Sequence, residues 1–362
     1  MPDLPSNPSS LLIIRMSSLG DVITSLPTLV ALRRRFPQAR IGWVVEDRFA
    51  SVIEGHPYID ELFVVPLKSW ARAAKTPQGL VRSYKALCDL KRRLRAAKYE
   101  VSLDIHGIVK SDVMAGFARC PVRIAFRDAC YRHSANVVVD ATSGIAAVRF
   151  TSMATYLGAE NPEYDACFYI PEPESAWAEE TLLGLDFGAA GPLVAVNPGA
   201  SAPWRQWPAA SFATVAEALQ EQRDARIVVI GGPGEVPLAE AIAERMSRKP
   251  LVVAGRCSVK GLAALLRRCD LLVTADTGPM HLAAAVHTPT VSFFGSADPK
   301  RTGPVGDFHS IVMATGPEKC VPCRNHPNCK TYPCLDNITP AAIIEAALER
   351  LALPRPRPAQ VP

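Results

Sequence analysis

The sequence predicts an α/β protein made of two doubly wound parallel-sheet domains with a cleft between them. Short apolar runs alternate with longer stretches of helical period along 362 residues, and the segment 171–174 (Pro-Glu-Pro-Glu) interrupts this alternation. A glycine-bearing turn also follows an apolar run in each half. Alternating β and α elements are typical of parallel sheets, and a chain of this length exceeds a single core. Ligands of such sheets bind at the carboxyl ends of the strands.

Apolar runs in the first half predict strands at 11–15, 41–45, 62–65, 101–105, 122–125 and 136–139. Helical period predicts helices at 21–35 and 79–97. The second half repeats the pattern, with strands at 193–196, 226–230, 251–253, 271–274 and 290–294 and helices at about 209–222, 235–247 and 259–268. A last helix at 340–352 has Thr339 as its N-cap and Pro340 at its first position.

These elements define the expected domains. Residues 1–170 form an N-terminal domain, 171–190 a linker and 191–339 a C-terminal domain. We expect the helix at 340–353 to pack back on the N-terminal domain. The tail 354–362 is rich in proline and arginine, and we expect it to be disordered.

Positive charge is concentrated in the first half of the chain. Residues 1–150 hold 22 Lys and Arg against 13 Asp and Glu, a net of +9, while the remainder has a net of −4. One interpretation is a set of solvated helix faces. The other is a first domain that meets an anionic acceptor or a membrane surface. A nucleic-acid partner is disfavoured, because no aromatic-studded basic stripe accompanies the charge.

Several function classes are disfavoured by what the sequence lacks. It has no G-x-x-x-x-G-K-[ST] P-loop, no G-x-G-x-x-G fingerprint and no G-x-S-x-G elbow. No apolar run approaches the roughly 18 residues of a membrane span. The N-terminus has neither a basic start nor an apolar core of a signal peptide. We therefore expect a cytoplasmic protein.

Ten cysteines in such a protein predict thiols rather than disulfides. Six are scattered. The other four, at a spacing that can hold a zinc or iron ion, are Cys320, Cys323, Cys329 and Cys334. The alternative, which we favour, is a loop of reduced thiols, so we expect no cofactor and no catalytic metal.

The turn after the first strand carries Ser17, Ser18 and Asp21. Asp21 stands at a helix start, where a carboxylate commonly accepts from backbone N–H groups. The alternative is a general base exposed to the cleft. The sequence alone leaves both roles open.

The turn after the strand at 271–274 is Asp276-Thr277-Gly278, followed by His281 one helical turn later. Backbone N–H groups and the positive end of the helix dipole lie at such a position, so the sequence predicts a phosphate site.

Two further loops follow predicted strands. In the first, Arg205 either neutralises a diphosphate or stacks on Trp204 or Trp207 at the surface. In the second, Glu235 ends the run Gly-Gly-Pro-Gly-Glu, and it either binds a ribose or caps a helix.

Taken together, these motifs resemble glycosyltransferase family 9, the bacterial ADP-heptose:lipopolysaccharide heptosyltransferases, with the heptosyltransferase I pattern nearest. The resemblance runs from about residue 11 to about residue 350. It rests on the segments 17–22 (SSLGDV), 43–46 (WVVE), 104–111 (DIHGIVKS), 197–200 (NPGA), 231–235 (GGPGE) and 276–281 (DTGPMH).

The resemblance implies an inverting, metal-independent enzyme of GT-B architecture, with ADP-heptose on the C-terminal domain. The acceptor, the anionic inner core or lipid A of lipopolysaccharide, would meet the N-terminal domain, with peripheral contact at the cytoplasmic face of the inner membrane. Asp21 matches the family's catalytic base, and Glu235 matches a glutamate on the adenosine side. The residues that match the donor diphosphate and sugar contacts are Ser201, Arg205, Asp276, Thr277, Gly278 and His281.

Three features depart from the family pattern. Arg205 replaces a lysine, His106 stands where glutamine is common, and the four cysteines are not needed for sugar transfer. Related protein heptosyltransferases carry a metal-binding cysteine finger, so a protein acceptor stays an alternative. Two further alternatives are a nucleotide-sugar epimerase and a non-catalytic sugar-nucleotide binding protein.

Overall fold

The computed structural model describes residues 5–142, 144–160, 168–183, 191–200, 202, 205–295, 297–314, 329 and 333–355. The chain divides into two compact units between Tyr169 and Ile170. Each unit holds a six-stranded sheet, and all the pairings between neighbouring strands are parallel. The predicted α/β class with two parallel sheets is therefore confirmed.

The strands of the first unit are β1 (Ser10–Ile14), β2 (Arg40–Glu46), β3 (Glu61–Val65), β4 (Val101–Asp104), β5 (Val122–Phe126) and β6 (Val137–Val139). Its helices are α1 (Leu19–Thr24), α2 (Leu26–Arg35), α3 (Asp47–Ile53), α4 (Leu67–Ala73), α5 (Pro77–Ala96), α6 (Val109–Ala118) and α7 (Ala146–Tyr156). The strand order is β3-β2-β1-β4-β5-β6. Every residue of β1 is buried, as expected of a central strand covered on both faces.

The helix predicted at 21–35 is divided into α1 and α2 by Ser25. Pro27 lies in the first turn of α2 and has no N–H to donate to the preceding turn, so one continuous helix would lose a hydrogen bond there. The Ser25 hydroxyl donates to the Asp21 carbonyl at 2.6 Å. The short first helix keeps Asp21 close to the end of β1.

The strands of the second unit are β7 (Leu193–Asn197), β8 (Arg226–Val229), β9 (Leu251–Val252), β10 (Leu271–Ala275), β11 (Thr290–Phe294) and β12 (Ser310–Met313). Its helices are α8 (Glu172–Leu183), α9 (Ala209–Arg223), α10 (Val236–Arg245), α11 (Val259–Arg268), α12 (Gly278–Ala285), α13 (Pro299–Thr302), α14 (Pro333–Asp336) and α15 (Pro340–Ala352), with a 3-10 turn at Pro233–Glu235. The strand order is β12-β11-β10-β7-β8-β9.

Both sheets have the same topology, because each begins at its centre, runs to one edge and then returns to build the other side. The order therefore reverses between β1 and β4 in the first unit and between β7 and β10 in the second. Such switch points are where ligands bind in doubly wound folds. The motifs that follow these four strands are consequently brought together within each unit.

Three features differ from the sequence prediction. Helix α8 occupies the expected linker and packs against α11. Strand β12 was not predicted. Helix α15, expected on the N-terminal domain, packs against α9 and the second sheet, and its Ile343 and Ala347 are buried in the second core. Its apolar side is therefore already used within the second unit. Among the described helices, none combines the length and the hydropathy needed to span a membrane.

Candidate active site

Asp21 is fixed at the carboxyl end of β1 by contacts from both sides. Ser18, the N-cap of α1, donates to Asp21 Oδ2 from its backbone N–H at 3.1 Å and from its hydroxyl at 2.9 Å. Arg15 Nη2 lies 2.8 Å from Asp21 Oδ1. The helix-cap contact considered from sequence is therefore present, together with an ion pair. The Asp21 side chain is still 39% exposed, so an incoming hydroxyl can reach it.

Arg15 is itself held rigidly. Its side chain is buried, Nη1 donates to the Ile105 carbonyl at 2.9 Å, and its guanidinium carbon lies 4.4 Å from the centre of the Phe150 ring. Burial lowers the pKa of Arg15, and the contact with Asp21 opposes this shift. Because β4 leads into Ile105, Arg15 connects Asp21 to the second strand of the switch point.

Asp104 organises the loop after β4. Its carboxylate accepts from the backbone N–H groups of His106 and Gly107, each at 3.0 Å, and from the Ser111 hydroxyl at 2.9 Å. Burial raises the pKa of Asp104 to about 6, although these three hydrogen bonds favour the carboxylate. The loop conformation that presents His106 and Lys110 thus depends on Asp104.

His106 and Lys110 extend the site beside Asp21. The Met16 backbone N–H donates to His106 Nδ1 at 3.3 Å. Burial, with the nearby charges of Arg15 and Lys110, lowers the pKa of His106 to about 3, so the ring is neutral at pH 7. Lys110 Nζ donates to Ser17 Oγ at 2.7 Å and pairs with the buried Glu46. The first unit therefore places one ion pair, Arg15 with Asp21, and a second, Lys110 with Glu46, at the ends of neighbouring strands.

In the second unit, Asn197 links the two strands of the switch point. Its Nδ2 group donates to Thr274 Oγ1 at 2.9 Å, to Thr277 Oγ1 at 3.1 Å and, over 3.4 Å, to the Gly199 carbonyl. Asn197 and Thr274 are buried, and Thr277 is 8% exposed. This network fixes the loops after β7 and β10 relative to each other.

Arg205 reaches the same place from the loop after β7. Its Nη1 donates to the Asp276 carbonyl at 2.9 Å and lies 3.4 Å from Asp276 Oδ2. Burial raises the pKa of Asp276, and Arg205 counteracts the shift. Arg205 does not stack on Trp207 at the surface, which was one of the alternatives from sequence, because Trp207 packs in the core against Phe212 and Phe293. Arg205 is 32% exposed and can meet a ligand.

Glu235 bridges the loops after β7 and β8. It accepts from the Gly232 backbone N–H at 2.6 Å, as a turn cap does. A Cβ atom at Gly199 would stand 2.0 Å from Glu235 Oε1. Glycine at position 199 is therefore required for this close approach. Glu235 lies against Gly199, whose carbonyl accepts from Asn197, and Asn197 also donates to Thr277. Glu235 and Thr277 are thus connected through Gly199 and Asn197.

Helix α12 begins at Gly278 with Thr277 as its N-cap, so its positive dipole end points out of this switch point. His281 lies one turn into α12 and is partly buried. Five of the predicted donor-site residues, Arg205, Asp276, Thr277, Gly278 and His281, thus lie at the end of β10 or beside it. Ser201, Trp204, Cys320 and Cys323 fall outside the described residues. Cys334 is buried in the second core.

Four residues of this arrangement were not predicted as site residues from sequence, namely Arg15, Glu46, Asp104 and Asn197. Each of the four lies at the carboxyl end of a strand: Asp104 and Asn197 are the last residues of β4 and β7, and Arg15 directly follows β1. Glu46 is the last residue of β2, which pairs with β1. A polar residue ending an otherwise apolar strand was the available signal. It becomes specific only when the strand order is known.

Comparisons with known proteins agree with this geometry. The model of glycosyltransferase family 9 (heptosyltransferase) matches residues 87–332. Lipopolysaccharide heptosyltransferase 1 of Pseudomonas aeruginosa is 30% identical over 327 residues, which cover 86% of this chain and 85% of that protein.

Two solved structures share the fold. A glycosyl transferase of family 9 from Veillonella parvula has a TM-score of 0.81 and 25% identity, covering 97% of this chain and 98% of that one. The E. coli heptosyltransferase WaaC, solved with ADP, has a TM-score of 0.73 and 24% identity, covering 94% and 99%. The two Rossmann-like units are those of the GT-B architecture. The chain belongs to glycosyltransferase family 9 and is a glycosyltransferase.

Proposed function

We propose that the enzyme transfers heptose from ADP-heptose to the inner core of lipopolysaccharide, at Kdo or the first heptose, with inversion at the anomeric carbon. The family and the name of the Pseudomonas relative support heptose and lipopolysaccharide, and the WaaC structure solved with ADP supports the nucleotide of the donor. The observation on which the mechanism depends is the Asp21 carboxylate, 39% exposed yet fixed by Arg15 and Ser18. It is a base of defined orientation at a ligand-binding switch point.

Asp21 acts as the general base in this proposal. It removes the proton of an acceptor hydroxyl while the hydroxyl oxygen forms a bond to the anomeric carbon and the bond to the ADP oxygen breaks. A single in-line displacement of this kind inverts the configuration. General-base assistance typically contributes about 10²–10⁴-fold to the rate.

The second unit supplies the donor site. Negative charge grows on the β-phosphate as ADP leaves, and the N-terminus of α12 at Thr277 and Gly278 is oriented to meet it. Arg205 and His281 add cationic and hydrogen-bonding groups, and Ser201 a hydroxyl. The buried Asp276 holds Arg205 in place. We propose that this set stabilises the leaving group without a metal ion or cofactor.

Glu235 lies on the adenosine side of the same site. Glu235 is partly exposed, and its carboxylate lies against Gly199 and accepts from the Gly232 backbone N–H. A carboxylate can accept from two ribose hydroxyls at once. We propose this role for Glu235.

The first unit supplies the acceptor site. Lys110 lies beside Ser17 in the turn that carries Asp21, and it pairs with Glu46. Lys110 is 28% exposed and complements a carboxylate or phosphate group of an inner-core acceptor, whereas the buried Arg15 holds Asp21. We propose that the enzyme works in the cytoplasm, in peripheral contact with the inner membrane.

The test is ADP release from ADP-heptose, with and without deacylated Kdo-lipid A. Release that requires the acceptor, with a product of inverted anomeric configuration by NMR, supports the proposal. Conversion of the sugar nucleotide without acceptor, or binding without turnover, contradicts it. Release with a protein acceptor but not with the Kdo acceptor contradicts the acceptor assignment.

A further inference from the structure

Helix α5 exposes an apolar patch on the first unit. Leu80, Val81 and Tyr84 are 56%, 54% and 67% exposed. Leu80 and Val81 precede Tyr84 by four and three residues, the spacings of neighbouring side chains on a helix surface, so both lie beside Tyr84. Leu90 and Leu94, in the second half of α5, are buried in the core of the first unit. The three exposed side chains therefore lie in the first half of α5, whereas its second half is anchored in the core.

Cations surround this patch. Lys85 lies one turn after Val81, and Lys91 and Arg95 lie two and three turns after Tyr84, so the outer side continues as a basic stripe. The segment 67–96, which holds α4 and α5, has nine Lys and Arg and one Asp, a net of +8. Nearly the whole charge excess of residues 1–150 is located here.

The positive surface continues past the end of α5. Three cations, Arg95, Lys98 and Arg119, line a groove of about 400 Å³ together with one carboxylate, Glu100. Lys98 and Arg119 are both exposed. Anionic groups can therefore be bound along the helix and beyond its last residue.

We propose that the α5 outer face, defined by Leu80, Val81, Tyr84, Lys85 and Arg95, is a docking surface for an anionic lipid bilayer. The helix would lie in the plane of the interface, with the three apolar side chains among the acyl chains and the cations at the headgroups. Amphipathic helices with lysine and arginine beside an apolar strip bind membranes in this way. Long basic side chains reach the headgroups while their stems cover apolar surface.

The composition favours a bilayer over a protein partner. The centres of protein interfaces are depleted in lysine, whereas each apolar residue here has a cation within two turns. The charge of the segment 67–96 complements the anionic lipids of a cytoplasmic leaflet. The inference rests on the membrane contact proposed above and assigns it to the outer face of α5.

The experiment is cosedimentation of the full chain with vesicles of 30% phosphatidylglycerol and 70% phosphatidylcholine, compared with pure phosphatidylcholine vesicles. We expect binding to the anionic vesicles only, weakened by 0.5 M salt. The triple variant Leu80→Ser, Val81→Ser, Tyr84→Ser should lower the partition coefficient about tenfold or more. The double variant Lys85→Gln, Arg95→Gln should do the same by removing two charges.

Matched controls come from the second unit. Leu183→Ser changes a leucine that is 83% exposed, and Arg245→Gln with Lys249→Gln removes two exposed cations. Both controls should bind vesicles like the wild type, and circular dichroism checks that every variant is folded. The proposal is overturned if both α5 variants bind vesicles as well as the wild type does. It is also overturned if the controls lose as much binding as the α5 variants, or if the wild type binds both vesicle types.

A second copy of the chain is the other candidate occupant, and sedimentation velocity tests it. If the triple variant lowers the oligomer mass and leaves vesicle binding unchanged, the face is a contact between copies and the bilayer proposal is wrong. The vesicles contain neither donor nor acceptor. Vesicle binding without ADP release therefore contradicts the proposed function alone, and ADP release without vesicle binding contradicts the docking surface alone.

Discussion

Arg15 Nη2 lies 2.8 Å from Asp21 Oδ1, while Nη1 of the same guanidinium donates to the Ile105 carbonyl at 2.9 Å. One buried side chain thus joins the exposed carboxylate after β1 to the main chain after β4. A planar guanidinium with both ends engaged holds its partner in one orientation. Arg15 is therefore a positioning residue for Asp21.

Replacing Arg15 with methionine keeps the apolar contacts of the stem and removes the ion pair. The Ile105 carbonyl then loses its donor, so we expect unfolding to become easier by about 1–3 kcal/mol. Turnover should fall by about tenfold or more, because Asp21 is then held on one side only, by Ser18. Urea denaturation and steady-state kinetics measure the two effects.

Arg15→Lys is the matched variant, since it keeps the charge but cannot engage both partners in the same geometry. It should retain more turnover than Arg15→Met, and ADP affinity should be unchanged in both. Full activity in Arg15→Met would show that Asp21 needs no such support.

Arg205→Ala should weaken ADP binding by about 10- to 100-fold, because hydrogen bonds to charged groups are worth about 1.5–3 kcal/mol. It also removes the cation that opposes the raised pKa of Asp276. Isothermal titration calorimetry with ADP provides the measurement. Arg205→Lys restores the residue of the family pattern and should recover part of the affinity. Unchanged ADP binding in Arg205→Ala would place Arg205 outside the donor site.

Asn197→Ala should reduce both stability and donor binding. The substitution leaves the buried Thr274 and Thr277 hydroxyls without the Asn197 amide, which costs about 1–3 kcal/mol in the free energy of unfolding. Thr277 then loses its fixed position at the start of α12. Gln206→Ala in the same loop, where Gln206 donates to the Pro198 carbonyl, is the control and should keep ADP affinity. A destabilised variant with unchanged ADP affinity would limit Asn197 to a structural role.

His106 should make the enzyme sensitive to acid. The pKa of His106 is about 3 in the folded protein, below its ordinary value of 6.5, so the unfolded chain binds the proton first. The stability contributed by neutral His106 is present above pH 6.5 and is lost as pH falls toward 3, by about 2 kcal/mol at pH 5. Asp104 acts in the opposite direction, because its raised pKa of about 6 costs stability as pH rises through 6.

His106→Gln removes the histidine contribution and keeps an acceptor for the Met16 N–H. The stability of the wild type relative to this variant should therefore decrease between pH 7 and pH 5, measured by urea denaturation at both values. His133→Gln, at an exposed histidine, is the control. A difference between wild type and His106→Gln that does not change with pH would contradict the buried, neutral state of His106.

Much of this fold could be predicted from sequence because parallel strands buried on both faces are short apolar runs. The predictions for β1, β7 and β11 agree with the structure within one residue at each end. Strand β12 was missed because Ser310–Met313 is a four-residue edge strand with little apolar length. Helix α8 was read as a linker because Pro171 and Pro173 suggest a break, yet Pro173 falls in its first turn, where proline is tolerated.

The site could be predicted only in part. Asp21, Arg205 and Thr277 follow predicted strands in segments rich in glycine, serine and proline, so the sequence identified them. The structure places them at the carboxyl ends of those strands, as predicted. Arg15 and Asn197 could not be assigned, because their function comes from partners about 77 to 90 residues away that only the strand order brings near. Long-range pairing of polar groups leaves no local pattern.

The central claim is that Asp21 acts as a base and not merely as a helix cap. The most direct measurement compares Asp21→Asn with wild type in acceptor-dependent ADP release and in ADP affinity. Asparagine keeps a side-chain acceptor for the Ser18 N–H but does not take a proton. We predict turnover reduced by about 10²–10⁴-fold with ADP affinity within about twofold of wild type. Turnover equal to wild type, or a parallel loss of turnover and ADP binding, would contradict the account.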